Sequence, residues 1–238
     1  MAGWMRTVLV GFAGGLSIWA GSFKVNPVRI ELSARRPYAS VAVSNLASEP
    51  ASIQVHVLLW SASGGREVYA ETDDILLNPP IFALQPRQTQ YMRLGLRKPR
   101  AGAIETSYRL VFEELPPPNK PSANEIRTLL RIRIPIFVKP AGILSPGLQW
   151  ELLPAGDGEA RLLVRNQGNV HVQITRMSLA AAAEPGPGHT ENANVYVLPG
   201  GSHEWSIRDK PLLDVSQLRV EAQTDQGEIR ATVRRQDR

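Results

Sequence analysis

The sequence predicts an all-β protein made of two β-sandwich domains in tandem. Short runs in which apolar and polar residues alternate recur along its 238 residues, and this period of two is typical of half-buried strands. The 19 glycines and 19 prolines are scattered between these runs, where they mark turns. Long apolar stripes with the helical period of 3.6 residues are absent, so strands joined by turns account for the pattern.

The first domain is predicted to contain about seven strands, a number and spacing that favour a sandwich with Greek-key topology. The clearest short one carries Ile53, Val55, Val57 and Leu59 on one face and polar residues on the other. The predicted strands of this domain are residues 25–32, 40–45, 53–59, 81–84, 90–96, 108–114 and 126–139. The same pattern returns at residues 148–152, 162–164, 170–174, 195–197, 205–207, 218–220 and 229–233.

The chain divides into a leader and two domains. Residues 1–22 resemble a secretory signal peptide, with Arg6 before an apolar run and Ala20-Gly21-Ser22 as a small-residue cleavage site. The run is short for a membrane span, although an uncleaved anchor is the alternative. We expect an exported mature chain that begins near Phe23. The segment from Pro140 to Gly147 has linker composition, so the domains are residues 23–140 and 141–238.

Composition and charge exclude several classes of function. The chain has no cysteine, which removes disulfides, thiolate zinc sites and cysteine nucleophiles. Its formal charge of +5 falls to +4 when the leader, whose only charge is Arg6, is removed. The basic clusters at residues 97–100 and 234–235 have no interleaved aromatic residues. We therefore expect no nucleic-acid partner.

No catalytic or metal-binding constellation is recognisable in the sequence. The four histidines lie far apart without metal-ligand spacing, and neither a His-Glu-x-x-His nor a Gly-x-Ser-x-Gly motif occurs. Glu113 and Glu114 are adjacent on a predicted strand, so their side chains point to opposite faces and cannot cooperate as acid and base. We expect neither enzymatic activity nor a cofactor, a metal site or a small-molecule substrate.

The longest alternating run, Ile126 to Lys139, predicts a single β-strand about twice the usual length. One face carries Ile126, Thr128, Leu130, Ile132, Ile134 and Ile136, and the other carries Arg127, Leu129, Arg131, Arg133, Pro135 and Phe137. Proline inside a strand indicates a sheet edge or a bulge. An exposed apolar edge needs a partner to cover it, and strand addition would do so. A strand buried inside its own sandwich is the equally balanced alternative.

Several motifs, in order along the mature chain, resemble those of the periplasmic pilus chaperones of the chaperone-usher pathway, the PapD-like family, and its archaic, spore-coat-like branch in particular. The motifs are Pro27-Val28-Arg29-Ile30, residues 78–86, Gln90-Tyr91-Met92-Arg93, residues 108–116, residues 135–140, residues 166–171 and Leu198-Pro199-Gly200. The resemblance implies two immunoglobulin-like sandwiches that hold a pilin subunit in and near the cleft between them. It also implies that the chaperone lends its long strand to the subunit, whose own sandwich lacks one.

The resemblance assigns roles to particular residues. Four positions of the long strand match the donor positions, with threonine a less apolar departure: Ile126, Thr128, Leu130 and Ile132. Arg29 matches one of two cleft cations that hold the subunit's terminal carboxylate, a group that an arginine fork suits. The second cation falls on Pro135, so Arg133 or Arg131 substitutes for it or the carboxylate is held elsewhere. Glu105, Lys139 and Asp225 match an interdomain ion network.

The resemblance further implies partners and a location. We expect pilin subunits and an outer-membrane usher as partners, and a periplasmic location. Capping of the free protein's own strand in a homodimer is left open by the sequence. Which pilin is served does not follow from the sequence. The alternative function is that of a structural or adhesive cell-surface protein built of immunoglobulin-like domains. A carbohydrate-processing enzyme would need clustered carboxylates, and none is recognisable.

Overall fold

The computed structural model describes residues 23–99, 102–117, 128–156, 159–183, 189–209, 212 and 214–234. The leader, the residues 118–127 before the long strand, and the loop at residues 184–188 lie outside this part of the chain. Within it, all regular elements of any length are β-strands, seventeen in number, so the predicted all-β class is confirmed. No helix of the described residues is long and apolar enough to cross a membrane.

Ten strands form the first sandwich. Its first sheet has the strand order β1-β3-β8-β6, and the second has the order β2-β10-β9-β4-β5, with β7 also paired to β4. The strands are β1 (Phe23–Asn26), β2 (Ile30–Leu32), β3 (Tyr38–Asn45), β4 (Ala51–Ser63), β5 (Arg66–Glu71), β6 (Ile75–Asn78), β7 (Ile81–Leu84), β8 (Thr89–Leu96), β9 (Thr106–Leu115) and β10 (Arg131–Val138).

Seven strands form the second sandwich, in one sheet ordered β11-β12-β15 and another ordered β14-β13-β16-β17. The strands are β11 (Leu148–Gly156), β12 (Glu159–Asn166), β13 (Val172–Ala181), β14 (His189–Val197), β15 (Ser202–Ile207), β16 (Gln217–Thr224) and β17 (Gly227–Arg234). Two tandem immunoglobulin-like sandwiches therefore make up the described chain, as predicted. The boundary predicted between residues 140 and 141 stays a prediction, and it falls in the strand-free segment between β10 and β11.

Each sandwich buries its own apolar core because alternate residues of its strands face inward. Val41, Leu84 and Leu110 are fully buried in the first core, and Leu162, Ile174 and Leu218 in the second. A third, small cluster of Trp60, Phe137 and Leu198 joins the two. It combines residues of both sandwiches and marks where they meet.

The long strand differs from its prediction. Regular pairing begins at Arg131, and β10 has eight residues; ahead of it, Thr128 forms a single isolated bridge and residues 129 and 130 belong to no strand. Ile126 lies outside the described residues. The prediction of one continuous strand from residue 126 is therefore wrong for residues 129 and 130. Leu130 still contacts β9, because its carbonyl accepts from the Glu114 backbone N–H at 2.9 Å and its N–H donates to the Glu114 side chain at 3.1 Å.

Candidate functional site

The two ends of β10 have different surroundings. Ile134 and Ile136 are buried in the core of the first sandwich, at 4% and 0% exposure. Ile132 and Leu130 are only half-buried, and Thr128 is exposed. The strand is thus an internal core strand at its carboxyl end and a partly uncovered one at its amino end.

Backbone pairing of β10 shows the same division. Along one side it pairs with β9 over its whole length, from Arg131 opposite Glu113 to Val138 opposite Thr106. Along the other side β2 pairs in parallel with Ile136, Phe137 and Val138 only. Among the described residues, the backbone from Arg131 to Pro135 has no strand partner on that side. This stretch is an open edge, long enough to accept another strand.

The sandwich is also open beside this edge. A narrow gap between β1 and the start of β10 is lined by apolar side chains from both sheets and by Glu114. The lining residues are Phe23, Val25, Val43, Ile53, Phe112, Glu114, Leu130 and Ile132. Three of the four predicted donor residues, Thr128, Leu130 and Ile132, are therefore described, and two of them border this gap.

Arg29 lies at the junction of the two sandwiches. Its Nη1 donates to Oδ2 of Asp225 at 2.7 Å, and its Nη2 lies 2.9 Å from Nε2 of His171 and 3.4 Å from Oε1 of Glu31. Its guanidinium also lies 5.2 Å from the ring centroid of Phe137. The cation predicted to bind a subunit carboxylate thus already contacts carboxylates of its own chain.

His171, the last residue of the motif at residues 166–171, is the centre of this junction, a role that sequence patterns did not indicate. Its side chain is buried and stacks on Phe137 with ring centroids 3.5 Å apart. Its Nδ1 lies 2.7 Å from Oε1 of Glu105, and its Nε2 lies 3.4 Å from Oδ2 of Asp225. Burial lowers the pKa of His171, but the hydrogen bonds to Asp225 and Glu105 outweigh burial and raise it. Glu105, His171 and Asp225 lie far apart in the chain, so the spacing of residues in the sequence does not reveal that they meet.

The three residues predicted as an interdomain network are brought close together. Glu105 and Asp225 both contact His171. Lys139 joins from the other side, because its Nζ lies 2.5 Å from Oε2 of Glu31, which in turn faces Arg29. Desolvation raises the pKa of Asp225, but hydrogen bonds from His171, Gln173 and Arg29 outweigh it and hold the pKa at about 2. The ion pair with Lys139 lowers the pKa of Glu31.

The predicted substitutes for the second cation occupy different places. Arg131 pairs with Glu113, the residue opposite it on β9, and its side chain is 58% exposed. Arg133 lies two residues further along the same face, with its guanidinium 5.5 Å from the ring centroid of Tyr69. Of the two, only Arg133 lines the cleft between the sandwiches.

Arg109 is a cleft cation that sequence reasoning missed. It lies on β9 directly opposite Pro135, the position where the family resemblance places a lysine. Its guanidinium lies 3.6 Å from the ring centroid of Trp60, and its Nη2 donates to Oε1 of Glu67 at 3.2 Å. The side chain is 12% exposed, and its Nε is buried without a partner among the described residues. The strand register would have revealed it, but one sequence does not fix a register.

The cleft itself has a volume of about 730 Å³. β10, the hairpin between β4 and β5, and strands β14 and β15 of the second sandwich form its walls. Its charged residues are Arg66, Glu67, Arg109 and Arg133, with His203 at one side and the rings of Trp60 and Tyr196 between them. The described part of the chain contains no cluster of side chains suited to a metal ion.

The segment from Asn166 to His171 connects the sandwiches. Nδ2 of the buried Asn166 donates to the carbonyls of Val170 and Val197 and shapes this loop. Asn169 accepts from the Ser145 backbone N–H at 2.8 Å and donates to the Ile143 carbonyl at 3.0 Å, which fixes the linker. A Cβ on Gly168 would overlap the Ser145 carbonyl, so only glycine allows this close approach.

Comparison with known proteins identifies the family. The family of pili and flagellar-assembly chaperones, represented by the PapD N-terminal domain, matches residues 22–144, which is 123 of the 238 residues. The chain belongs to the PapD-like chaperones. The role of this family, assistance in assembly, is not a catalytic one. No curated protein matches the chain.

Solved structures show the same fold as this PapD-like chaperone. One is a chain of the CsuC–CsuE chaperone–tip adhesion subunit pre-assembly complex, from archaic chaperone-usher Csu pili of Acinetobacter baumannii. The match covers 91% of the present protein and 100% of that chain, with a TM-score of 0.68 and 20% identity. The match with a chain of the SafA pilin–SafB chaperone complex of Salmonella enterica covers 90% of the present protein and 98% of that chain, with a TM-score of 0.62 and 18% identity. The match with the Escherichia coli chaperone DraB covers 90% of the present protein and 97% of that chain, with a TM-score of 0.62 and 19% identity.

Proposed function

We propose that this protein is a periplasmic chaperone that binds pilin subunits by donating β10 and delivers them to an outer-membrane usher. Family membership supports a role in pilus assembly, and the complexes of CsuC with CsuE and of SafB with SafA support pilin subunits as partners. The leader at residues 1–22 supports export to the periplasm, where free pilins and the usher would meet the chaperone.

The observation that carries this proposal is the open edge of β10 from Arg131 to Pro135. A subunit strand added there would complete the ladder and cover the half-buried Leu130 and Ile132. Full burial of each aliphatic side chain would contribute about 1 to 2 kcal/mol beyond what its present half-burial provides. The buried end of the same strand, Ile134 to Val138, holds the donated segment in place from inside the chaperone's own core.

The subunit's terminal carboxylate would bind at the base of the cleft. Arg29 and Arg109 approach the same aromatic cluster from two sides, since Arg29 lies over Phe137 and Arg109 over Trp60, and these two rings are 6.1 Å apart. Among the described residues, Glu67 is the one acidic side chain that pairs with Arg109, and a guanidinium has five N–H donors. We therefore propose that Arg109, together with the predicted Arg29, binds the terminal carboxylate.

Co-expression with the cognate pilin in a periplasm tests strand donation. The variant carrying Ile126→Asp, Leu130→Asp and Ile132→Asp should lose the soluble one-to-one complex, because a charged side chain cannot enter the apolar groove of the subunit. Val68→Asp is the matched control, since Val68 is an exposed apolar residue on the edge strand β5, away from the open edge.

The complex is measured by size-exclusion chromatography of the periplasmic fraction. An undiminished yield of complex from the triple variant, with the control equally active, would contradict strand donation. Recovery of the wild-type protein at the cell exterior and not in the periplasm would instead favour a structural or adhesive surface protein.

A further inference from the structure

The charge of the cleft indicates a second feature of the client strand, in addition to its terminal carboxylate. Three arginines line the cleft, Arg66, Arg109 and Arg133, and Glu67 is the one acidic residue among the described lining residues. Glu67 pairs with Arg109. Arg66 and Arg133 form no ion pair with any described residue, so the cleft has two cations in excess.

Aromatic rings orient two of the three arginines, Arg109 and Arg133. The guanidinium of Arg109 lies over Trp60 and that of Arg133 over Tyr69, at 3.6 and 5.5 Å from the ring centroids. When a guanidinium packs face-on against an aromatic ring, the N–H donors at the edge of the guanidinium plane stay available to an acceptor. The guanidiniums of Arg109 and Arg133 lie on the same face of the sheet and form two successive anion-binding positions.

The strand register gives the distance between these two anion-binding positions. Arg109 is level with Pro135, and Arg133 lies two residues before Pro135 on the same face, a rise of about 7 Å. β10 runs toward the base of the cleft. A client strand that ends with its carboxylate at that base must run parallel to β10. Its residue two positions before the carboxyl end would then be level with Arg133.

We propose that the client strand carries an aspartate or glutamate two residues before its terminal residue, and that Arg133 binds this side chain. The inference rests on the proposed function, because it requires a client strand on the edge of β10. It goes further by assigning a sequence preference to the client and a selecting residue to the chaperone. Like-charged or neutral side chains at that position would leave the excess charge of the cleft uncompensated.

Synthetic peptides test the inference directly. The probes are 12-residue peptides of alternating valine and threonine with a fluorophore at the amino end and a free carboxyl end. They carry aspartate, asparagine or lysine at the third residue from the carboxyl end, and a fourth peptide has the aspartate and an amidated end. Binding is measured by fluorescence anisotropy at low and at high salt with the full mature chain.

The aspartate peptide should bind about fivefold more tightly than the asparagine peptide, the range of a partly exposed ion pair, and the lysine peptide most weakly. The preference should disappear in Arg133→Gln and at high salt. Arg93→Gln is the control, because Arg93 is an exposed strand arginine on the opposite sheet, without an ion pair among the described residues. It should keep the preference.

Two results would overturn the inference. Equal affinity of the aspartate and asparagine peptides for the wild-type protein removes the preference, and a preference that survives in Arg133→Gln assigns it to another residue. Failure of the proposed function has a different signature. In that case no free-acid peptide binds, or the amidated peptide binds as tightly as its free-acid counterpart.

Discussion

At the residue scale, Arg29 has two roles that compete for the same guanidinium. Its hydrogen bond to Asp225 and its contact with His171 join the two sandwiches, and its proposed role is to bind a subunit carboxylate. Its Nε is buried without a partner among the described residues. A subunit carboxylate therefore has to share or replace the contact with Asp225, which couples capture of the subunit to the junction.

Replacement of Arg29 by alanine should weaken binding of the cognate pilin at least tenfold, because a charge-assisted hydrogen bond contributes about 1.5 to 3 kcal/mol. The chaperone should remain folded by circular dichroism. Binding is measured by titration calorimetry with a refolded pilin or by the yield of the co-expressed complex.

Asp225→Asn separates the two roles of Arg29. It weakens the junction but leaves the cation, so it should bind the pilin at least as well as the wild type. Equal losses in Arg29→Ala and Asp225→Asn would show that Arg29 acts by positioning the sandwiches. Wild-type binding by Arg29→Ala would show that the carboxylate is held elsewhere, with Arg109 as the next candidate.

At the element scale, the two ends of β10 differ in burial. Ile134, Ile136 and Val138 belong to the core of the first sandwich, whereas Ile132 is a partly buried residue at its margin. The sequence predicted this strand from its alternation, but alternation is identical at both ends. Only the position of β2, which covers the strand from Ile136 onward, distinguishes the buried end from the open one.

The two ends should therefore respond differently to truncation. Ile134→Ala should lower the free energy of unfolding by about 2 to 5 kcal/mol, since it leaves a cavity in a packed core. Ile132→Ala should lower it by about 1 kcal/mol, because half-burial halves the area lost, and yet should weaken pilin binding more. Urea denaturation and pilin titration of both variants measure this. A larger loss of stability in Ile132→Ala than in Ile134→Ala would contradict the division of the strand.

Only part of the candidate site was predictable from the sequence, because some of its residues are defined by contacts between distant segments. Arg29, Glu105, Lys139 and Asp225 were assigned because they match positions of a known family, and Arg133 was offered as a substitute for the cation missing at Pro135. Arg109 and His171 lie within motifs of that family but were assigned no role, since their roles depend on contacts across strands. Arg109 faces Pro135 through the β9–β10 register, and His171 meets Glu105 and Asp225 from distant segments.

At the scale of the whole molecule, the junction is an ionic network around one buried histidine. Arg29 and Glu31 come from the start of the first sandwich, Glu105 and Lys139 from its end, and Asp225 from the second sandwich. His171 contacts Arg29, Glu105 and Asp225, stacks on Phe137, and lies near Tyr196 with ring centroids 5.9 Å apart. The contacts between the sandwiches therefore include a titratable imidazole.

Stability of the junction should pass through a maximum at mildly acidic pH. The raised pKa of His171 contributes stability that is fully present below its unfolded value of about 6.5 and is lost as the pH rises through the higher folded pKa. The pKa of Asp225, lowered to about 2, contributes stability that is present above its unfolded value near 3.8 and is lost as the pH falls. The maximum should lie between roughly pH 4 and pH 6.5.

Thermal unfolding at several pH values checks this. Between pH 6 and pH 8 the contribution of His171 should lower the midpoint of the wild type, because its raised pKa is passed in this range. His171→Gln should have a lower midpoint but little of this slope, because glutamine does not titrate. His56→Gln is the control, since His56 lies on β4 away from the junction. An unchanged slope in His171→Gln would assign the pH dependence to other groups.

The sequence by itself determined the all-β class, the two sandwiches, an alternating strand before Pro140 and the family, because periodicity and ordered motifs are local properties of a chain. The tertiary structure alone decided which half of that strand is open, which arginines face the cleft and which histidine joins the sandwiches. Those features depend on strand register and on contacts between residues far apart in the chain, such as Arg29 with Asp225, and local patterns do not encode such contacts.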